Sequence, residues 1–414
     1  MKTIQSKTER IYSLDSLRAV MMLLGLVLHS AITYGTVNYE SSWALKDTGS
    51  VSLLNDLIVI FIHSFRMPIF FLVAGFFGAL LFYERSPLKM MKNRVSRIVY
   101  PFLVFLLLFS PILIFGNVYT GYVLADNTSP WQSTLAYFSD LTLLLPLKTY
   151  HLWFLYYLAI ISAVTVLIAF SVRGLPTLSV KIKKVSNWIF KRPFVRVFLF
   201  ASMTFVIYLM MGIDQVETSM SLIPDFNTFI FYFSFYLVGW TLFKSKNLLG
   251  SMKRFDWLSV IIATLLLFTY IFTYNFLSFP VKIAISSLVV WFFAFGITGL
   301  FIRYGSKYSG RMRYISDASY WIYLFHLPFT VYLPALISDW PVSAITKFVI
   351  VMLGTAIPCF ITYHYLVRPT FIGKFLNGRR YPRNLPVKEA FTSEEQIEGF
   401  AKAQKESYKE ASTV

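Results

Sequence analysis

Long apolar stretches separated by short polar segments dominate the chain. About ten of them approach or exceed the ~18–20 residues that a helix needs to cross a bilayer. The predicted spans are 17–36, 52–82, 96–118, 152–171, 194–212, 226–243, 257–275, 282–302, 314–337 and 343–367. The pattern predicts an all-α polytopic membrane protein.

The second span contains an internal interruption. It is longer than one crossing requires, and Met67-Pro68 lies within it. Because proline lacks an N–H and its ring clashes with the preceding turn, we expect a break or kink here. Counting back from Glu84 at ~1.5 Å per residue places Arg66 about 27 Å from the cytoplasmic edge, near the outer side.

Composition and charge placement support the membrane assignment. Hydrophobic residues make up 57% of the chain, charged residues 14%, and the mean hydropathy is +0.62. The net charge of +18 does not indicate a nucleic-acid partner, because the cations gather on one side. If the N-terminus is cytoplasmic, nearly every Lys and Arg falls in a cytoplasmic segment or at the cytoplasmic end of a span. The exceptions are Arg18 and Arg66 within spans and four lysines in outside loops, which are Lys46, Lys148, Lys282 and Lys347. The positive-inside rule then predicts cytoplasmic termini, with the basic clusters contacting membrane lipid.

The chain shows no soluble catalytic domain and no internal repeat. We expect residues 1–383 to form one transmembrane domain, whose first span remains as a signal anchor. Residues 384–414 are charged and sparsely apolar, and we expect a disordered cytoplasmic tail.

Arg18 and His29 are the first candidate functional residues. Eleven helical steps of ~100° bring His29 to within ~20° of Arg18 and ~16 Å along the axis. Arg18 can then lie at one membrane edge while His29 lies near the middle of the span. An ionisable residue at that depth normally faces a polar cavity, although a histidine can also serve only as a hydrogen-bond partner between helices.

Two further histidines are candidates for chemistry. His326 lies in the ninth span close to Pro328, which should open the helix near it, and His151 begins the fourth span on the outer side. His364 at the inner end of the last span is expected to be structural. No metal site is expected, because His-x-x-x-His, His-Glu-x-x-His and cysteine-rich spacings are absent and Cys359 is the single cysteine.

Arginines form the second half of the pattern. Arg94 and Arg97 are three residues apart at the inner start of the third span, where a shared helix face and a helix N-terminus would favour a phosphate. Flanking charge for topology is the alternative. With Arg18 they could hold the phosphates of coenzyme A, whose arm would carry a thioester towards His29. His29 could act as general base, and Arg66 could stabilise the oxyanion or a second carboxylate.

Several motifs resemble the membrane-bound acyltransferase-3 family, and within it the group that succinylates osmoregulated periplasmic glucans. They extend from about residue 12 to residue 375 and are Leu14-Asp15-Ser16-Leu17-Arg18 with His29, Asn55-Asp56-Leu57, His63-Ser64-Phe65-Arg66-Met67, Arg94-x-x-Arg97, His151-Leu152-Trp153-Phe154-Leu155 and Tyr323-Leu324-x-His326. The chain departs from the family at Met67-Pro68 and at Val73-Ala74-Gly75, where relatives often have Ser-Gly.

The resemblance implies an inner-membrane O-acyltransferase. Its donor would be acyl-CoA, most simply succinyl-CoA, bound as a substrate and not as a permanent cofactor, and its acceptor a hydroxyl of a periplasmic glucan. His29 would be the essential histidine, as general base or as acyl carrier, and His326 and His151 would orient the acceptor or relay protons. Arg18, Arg94 and Arg97 would serve the donor, with Asp15 and Arg66 as further binding residues.

Two alternatives stay open at this point. One keeps the chemistry but transfers acetyl to O-antigen, exopolysaccharide or another envelope polysaccharide. The other is a transporter or flippase for an anionic solute, in which the charges within the spans bind cargo. The absence of paired Gly/Pro-broken helices in two matching halves argues against the transporter.

Overall fold

Helices account for the regular structure of the computed structural model, which describes residues 11–39, 42–216 and 218–381. No strand occurs in these ranges beyond isolated bridges. The helices are α1 Tyr12–Ala31, α2 Leu53–His63, α3 Arg66–Leu80, α4 Pro87–Arg94, α5 Tyr100–Leu124, α6 Pro130–Tyr137, α7 Trp153–Arg173, α8 Pro176–Lys191, α9 Pro193–Met211, α10 Phe226–Lys244, α11 Asp256–Thr273, α12 Phe279–Tyr304, α13 Gly310–Leu336, α14 Ala344–Thr362 and α15 Phe371–Asn377. The expected tail at 384–414 lies outside the described residues.

The predicted spans correspond to these helices. Within the described ranges, nine helical segments are long and apolar enough to cross a membrane. The remaining predicted span, 314–337, corresponds to α13. This helix has 27 residues, enough to cross a membrane, but polar side chains lower its hydropathy below that of the other nine. The structure therefore confirms an all-α polytopic membrane protein.

The predicted interruption of the second span separates α2 from α3. The break falls at Ser64 and Phe65, just before Pro68 in the first turn of α3. Pro68 cannot donate a hydrogen bond to the carbonyl of Ser64, and its ring excludes a helical continuation there. Arg66 therefore begins a new helix within the membrane domain.

Close packing between helices holds the domain together. Lipid tails are as apolar as the helix surfaces, so the hydrophobic effect does not drive the spans towards one another. α3 packs against α10 through Gly75 and Gly239. A Cβ on Gly239 would lie 1.8 Å from the carbonyl oxygen of Leu72, and one on Gly75 would lie 2.0 Å from that of Tyr236. α1 packs against α13, and these two helices carry His29 and His326, which are described next.

Candidate active site

His29 lies in the last turn of α1 and not near the middle of the span. The helix begins at Tyr12, earlier than predicted. Asp15 lies in its first turn, where a negative charge interacts favourably with the N-terminal end of the helix dipole. Arg18 and His29 nevertheless share one continuous helix, as predicted. The His29 Nδ1 is buried and has no hydrogen-bond partner in the described part of the chain. The centre of its ring lies 5.3 Å from the ring centre of Trp43 and 5.4 Å from that of His326.

His326 presents an unprotonated nitrogen to the same space. Its Nδ1 lies 2.8 Å from the carbonyl oxygen of Tyr323 and 3.1 Å from that of Ile322. Since a carbonyl oxygen can only accept, these contacts assign the proton to Nδ1. Nε2 then carries a lone pair, and it is buried with no partner among the described residues.

His151 is anchored to α13 twice. The Tyr323 hydroxyl donates to the His151 carbonyl at 2.7 Å, and the His151 Nε2 donates to the Leu324 carbonyl at 3.2 Å. That carbonyl is available because Pro328, four residues later, has no N–H to donate to it. The predicted opening of the helix at Pro328 is thus visible as one carbonyl released from the helix ladder.

The anchoring of His151 leaves its Nδ1 as an acceptor. This nitrogen is buried without a partner in the described ranges, and the ring lies 5.4 Å from that of His326. The preceding residue, Tyr150, has φ = 48°, a left-handed conformation that is uncommon for an aromatic residue. Such strain persists where surrounding contacts hold it, and it is concentrated at functional sites.

Three histidines from three helical segments therefore form one cluster, with His326 between His29 and His151. Two of the unpartnered ring nitrogens must carry lone pairs, so the histidine cluster can accept protons from hydroxyl groups. The structure brings these three predicted site residues together, while their catalytic roles stay predictions. His364 lies elsewhere, 3.4 Å from the Tyr314 hydroxyl.

Arg66 supplies positive charge beside the cluster. Its guanidinium packs against Gly25 of α1, one helical turn before His29; a Cβ on Gly25 would lie 2.5 Å from Nη1. A side chain at position 25 would therefore require the guanidinium to shift. No carboxylate in the described chain forms an ion pair with Arg66. An unpaired guanidinium at a partly enclosed site is suited to an anionic ligand.

A loop that the sequence did not reveal as part of the site covers His29. Trp43 packs on the histidine ring and donates from Nε1 to the Thr33 hydroxyl at 3.0 Å. The loop is fixed at the other side by a buried ion pair between Asp47 and Lys347, 2.7 Å apart. Lys347 lies buried in α14 and not in an outside loop as the sequence predicts, and the buried carboxylate of Asp47 balances its charge.

The Asn55-Asp56 motif also acts on this loop. The Asp56 carboxylate accepts hydrogen bonds from the backbone N–H and hydroxyl of Thr36, at 2.7 and 2.6 Å, and from the Val37 N–H at 3.2 Å. Burial and the nearby Asp56 raise the pKa of Tyr39 to about 12, so its hydroxyl stays neutral at physiological pH. These contacts fix the backbone that follows α1 and hence the boundary of the site at the C-terminal end of this helix.

Arg94 and Arg97, which are predicted to lie at the inner side, differ from the prediction in two respects. Arg94 and Arg97 do not begin a helix, because α4 leads into α5 through a turn of π-helix at Val95–Val99. Their guanidinium groups also diverge: Arg94 donates to the Ala74 carbonyl at 3.1 Å and Arg97 to the Leu376 carbonyl at 2.7 Å. A π-turn is wider than an α-helical turn and changes the angle between residues three apart. The prediction that Arg94 and Arg97 share one helix face is therefore wrong.

Arg18 lies on the same side of the molecule. It pairs with Asp15 at 3.4 Å and is about one-third exposed, so its charge remains accessible. Arg97 is close enough to both Arg18 and Arg379 for their charges to interact unfavourably. Asp15 is thus placed to orient Arg18, and the two arginines with Arg379 form a cationic region near the N-terminal ends of α1 and α5. Binding of a donor by these residues stays a prediction.

The structure defines a multi-pass helical membrane protein with a histidine cluster inside the domain. Residues 11–364 match the acyltransferase domain of the acyltransferase-3 family, and the chain belongs to this family. In the described chain, no group of three or more His, Cys, Asp or Glu is placed to hold a metal ion.

Curated relatives narrow the comparison over part of the chain. Proteins named "Glucans biosynthesis protein C" from Salmonella paratyphi B and Salmonella enteritidis are 36% identical to it over 158 residues. The matched region is 38% of this chain and 38% of each relative. No solved structure matches the chain.

Proposed function

We propose that this protein is an inner-membrane O-succinyltransferase, which transfers a succinyl group from cytoplasmic succinyl-CoA to a sugar hydroxyl of a periplasmic glucan. The observation that carries the proposal is the histidine cluster beside the unpaired Arg66. The names of the partial relatives support a glucan as the acceptor. Arg66 supports a dicarboxylic donor, because a free carboxylate would supply its missing counter-charge.

The chemistry assigned to the site balances as a direct transfer. His29 takes the proton of the sugar hydroxyl while that oxygen bonds to the thioester carbonyl carbon. The carbon–sulfur bond then breaks, and the departing thiolate receives the proton from His29. Neutral histidine nitrogens on His326 and His151 accept hydrogen bonds from other sugar hydroxyls and orient the acceptor. Transfer through an acyl group on His29 is the alternative route.

The donor would enter from the cytoplasmic side. Arg18 and Arg97 would contact its phosphates, with Arg94 bracing α3 through the Ala74 carbonyl. Arg18 and His29 are separated by about 16 Å along α1, a distance that a pantetheine arm can cover. Arg66 contacts Gly25, one helical turn before His29. It would hold the terminal carboxylate of the succinyl group while the thioester lies at His29.

The test is transfer of radiolabelled succinyl groups from succinyl-CoA to purified periplasmic glucan by membranes containing the full chain. We expect wild-type transfer, and at least about a hundredfold loss in His29→Ala, because general-base catalysis contributes roughly 10²–10⁴-fold. His364→Ala is the matched control and should retain activity. Equal transfer by wild type and His29→Ala would refute the proposal.

The acceptor and donor are tested separately in a deletion strain. Mass spectrometry should show loss of succinyl groups from periplasmic glucans. Loss of acetyl from a surface polysaccharide would instead identify the other acyltransferase. Unchanged polymers with altered uptake of an anionic solute would identify a transporter.

A further inference from the structure

A cavity lies away from the histidine cluster, between α8, α9 and α10. Its volume is about 530 Å³, within the range of ligand sites, and it opens towards the surroundings of the domain. One face of α8 lines it through Leu178, Ile182, Val185 and Ile189, which recur with helical spacing. Lys181 is the only charged lining residue in the described chain. We call this cavity the α8–α10 groove.

The groove is polar at one end and apolar along its length. At the polar end, the lining residue Ser186 donates to the Thr241 carbonyl at 3.1 Å. Just outside the lining, Lys244 donates to the Ser179 hydroxyl at 3.3 Å. The apolar part continues along α10 from Thr241 to Ile230, eleven residues or about 16 Å. Such a profile fits a molecule with a polar head and a long hydrocarbon chain.

The charge of α8 selects among such molecules. Lys181 and Lys184 are exposed and lie three residues apart, so they occupy neighbouring positions on the helix surface. The helix Pro176–Lys191 contains neither Asp nor Glu. Positive-inside topology puts this segment at the cytoplasmic surface, where anionic lipids concentrate.

We propose that the α8–α10 groove binds an anionic phospholipid of the cytoplasmic leaflet, with an acyl chain between α9 and α10 and its phosphate at Lys181 and Lys184. None of the groove residues belongs to α1 or α13, so this ligand is distinct from the substrates of the histidine cluster. The bound lipid would fill the gap between α9 and α10 and connect α8 to them.

Native mass spectrometry of the purified full chain tests this site. The protein is mixed with equal amounts of phosphatidylglycerol and phosphatidylcholine of the same acyl chains. We expect one retained phosphatidylglycerol, and a loss of retention on the order of tenfold in Lys181→Gln/Lys184→Gln. Lys89→Gln/Lys92→Gln removes two exposed lysines with the same spacing on α4 and should retain the lipid as wild type does.

A groove-filling variant tests the acyl-chain position. Ile230→Trp places a larger side chain at the apolar end and should abolish retention of both lipids, with folding checked by size-exclusion elution and thermal midpoint. If Ile230→Trp does not fold, Met203→Trp on the facing helix replaces it. Equal retention of the two lipids by wild type, unchanged retention by Lys181→Gln/Lys184→Gln, or a second copy of the chain in place of the lipid would overturn the proposal.

Discussion

Replacing Pro328 by alanine should separate the stability of α13 from the activity of the site. Alanine at this position carries an N–H, which can donate to the Leu324 carbonyl and rebuild the regular helix bond. That carbonyl now accepts from the His151 Nε2 at 3.2 Å. The substitution therefore sets a backbone donor in competition with the histidine for the same acceptor.

The two effects have opposite signs and known scales. Alanine is favoured over proline in a helix interior by about 3 kcal/mol. The lost histidine hydrogen bond is worth about 0.5–1.5 kcal/mol, so we expect a thermal midpoint no lower than that of wild type. The same loss loosens the His151 ring and should lower kcat by roughly twofold to tenfold, since 1.36 kcal/mol corresponds to a factor of ten.

The assay is succinyl transfer with kcat and KM determined separately, together with thermal unfolding in detergent. ¹⁵N spectra of labelled histidine should show that His151 no longer keeps its proton solely on Nε2. Pro334→Ala is the matched control, because it changes another proline within α13 without touching the Leu324 carbonyl. Full activity with an unchanged His151 spectrum, or a lower midpoint than wild type, would refute this account of Pro328.

Three further substitutions test other parts of the domain. Arg66→Gln should reduce transfer of succinyl by at least about tenfold while acetyl transfer is retained, because only the succinyl carboxylate pairs with the guanidinium; equal loss with both donors would contradict this. Asp47→Ala should destabilise the fold by about 3–5 kcal/mol, measured by thermal unfolding, because it leaves Lys347 buried and unpaired; adding Lys347→Met should recover most of the loss. Gly239→Val should abolish folded protein in size-exclusion analysis, because its Cβ would lie 1.8 Å from a backbone oxygen of α3, whereas Gly250→Ala has open space and should behave as wild type.

Hydrophobic patterning was sufficient to predict most of the fold. Apolar runs specify helices in a membrane because the backbone must satisfy its own hydrogen bonds there. The break before Pro68 was predictable for the same reason, since proline removes a donor from such a helix. The bounds of α1 were less predictable, because its first turn contains polar residues. The helix begins and ends earlier than the predicted span, so His29 lies in its last turn and not near its middle.

The candidate site was predictable in its residues but not in its geometry. His29, His151 and His326 each stood out as ionisable groups in apolar surroundings, and they do converge. Sequence could not show which nitrogen of each ring is free, because this depends on carbonyls of another helix. The divergence of Arg94 and Arg97 was missed because a π-turn leaves no clear composition signal. Trp43 was missed because its contact with His29 arises from a loop.

Two proline residues connect the fold to the proposed chemistry. A regular membrane helix uses all of its backbone groups internally and has none to offer to a neighbouring side chain. Pro68 ends that regularity beside Arg66, and Pro328 releases the carbonyl that orients His151. In both places the interruption lies inside the protein, where other groups can compensate for it. The prolines of spans two and nine are therefore the sequence signal for the site, since they mark where the helices can position polar groups within the membrane domain.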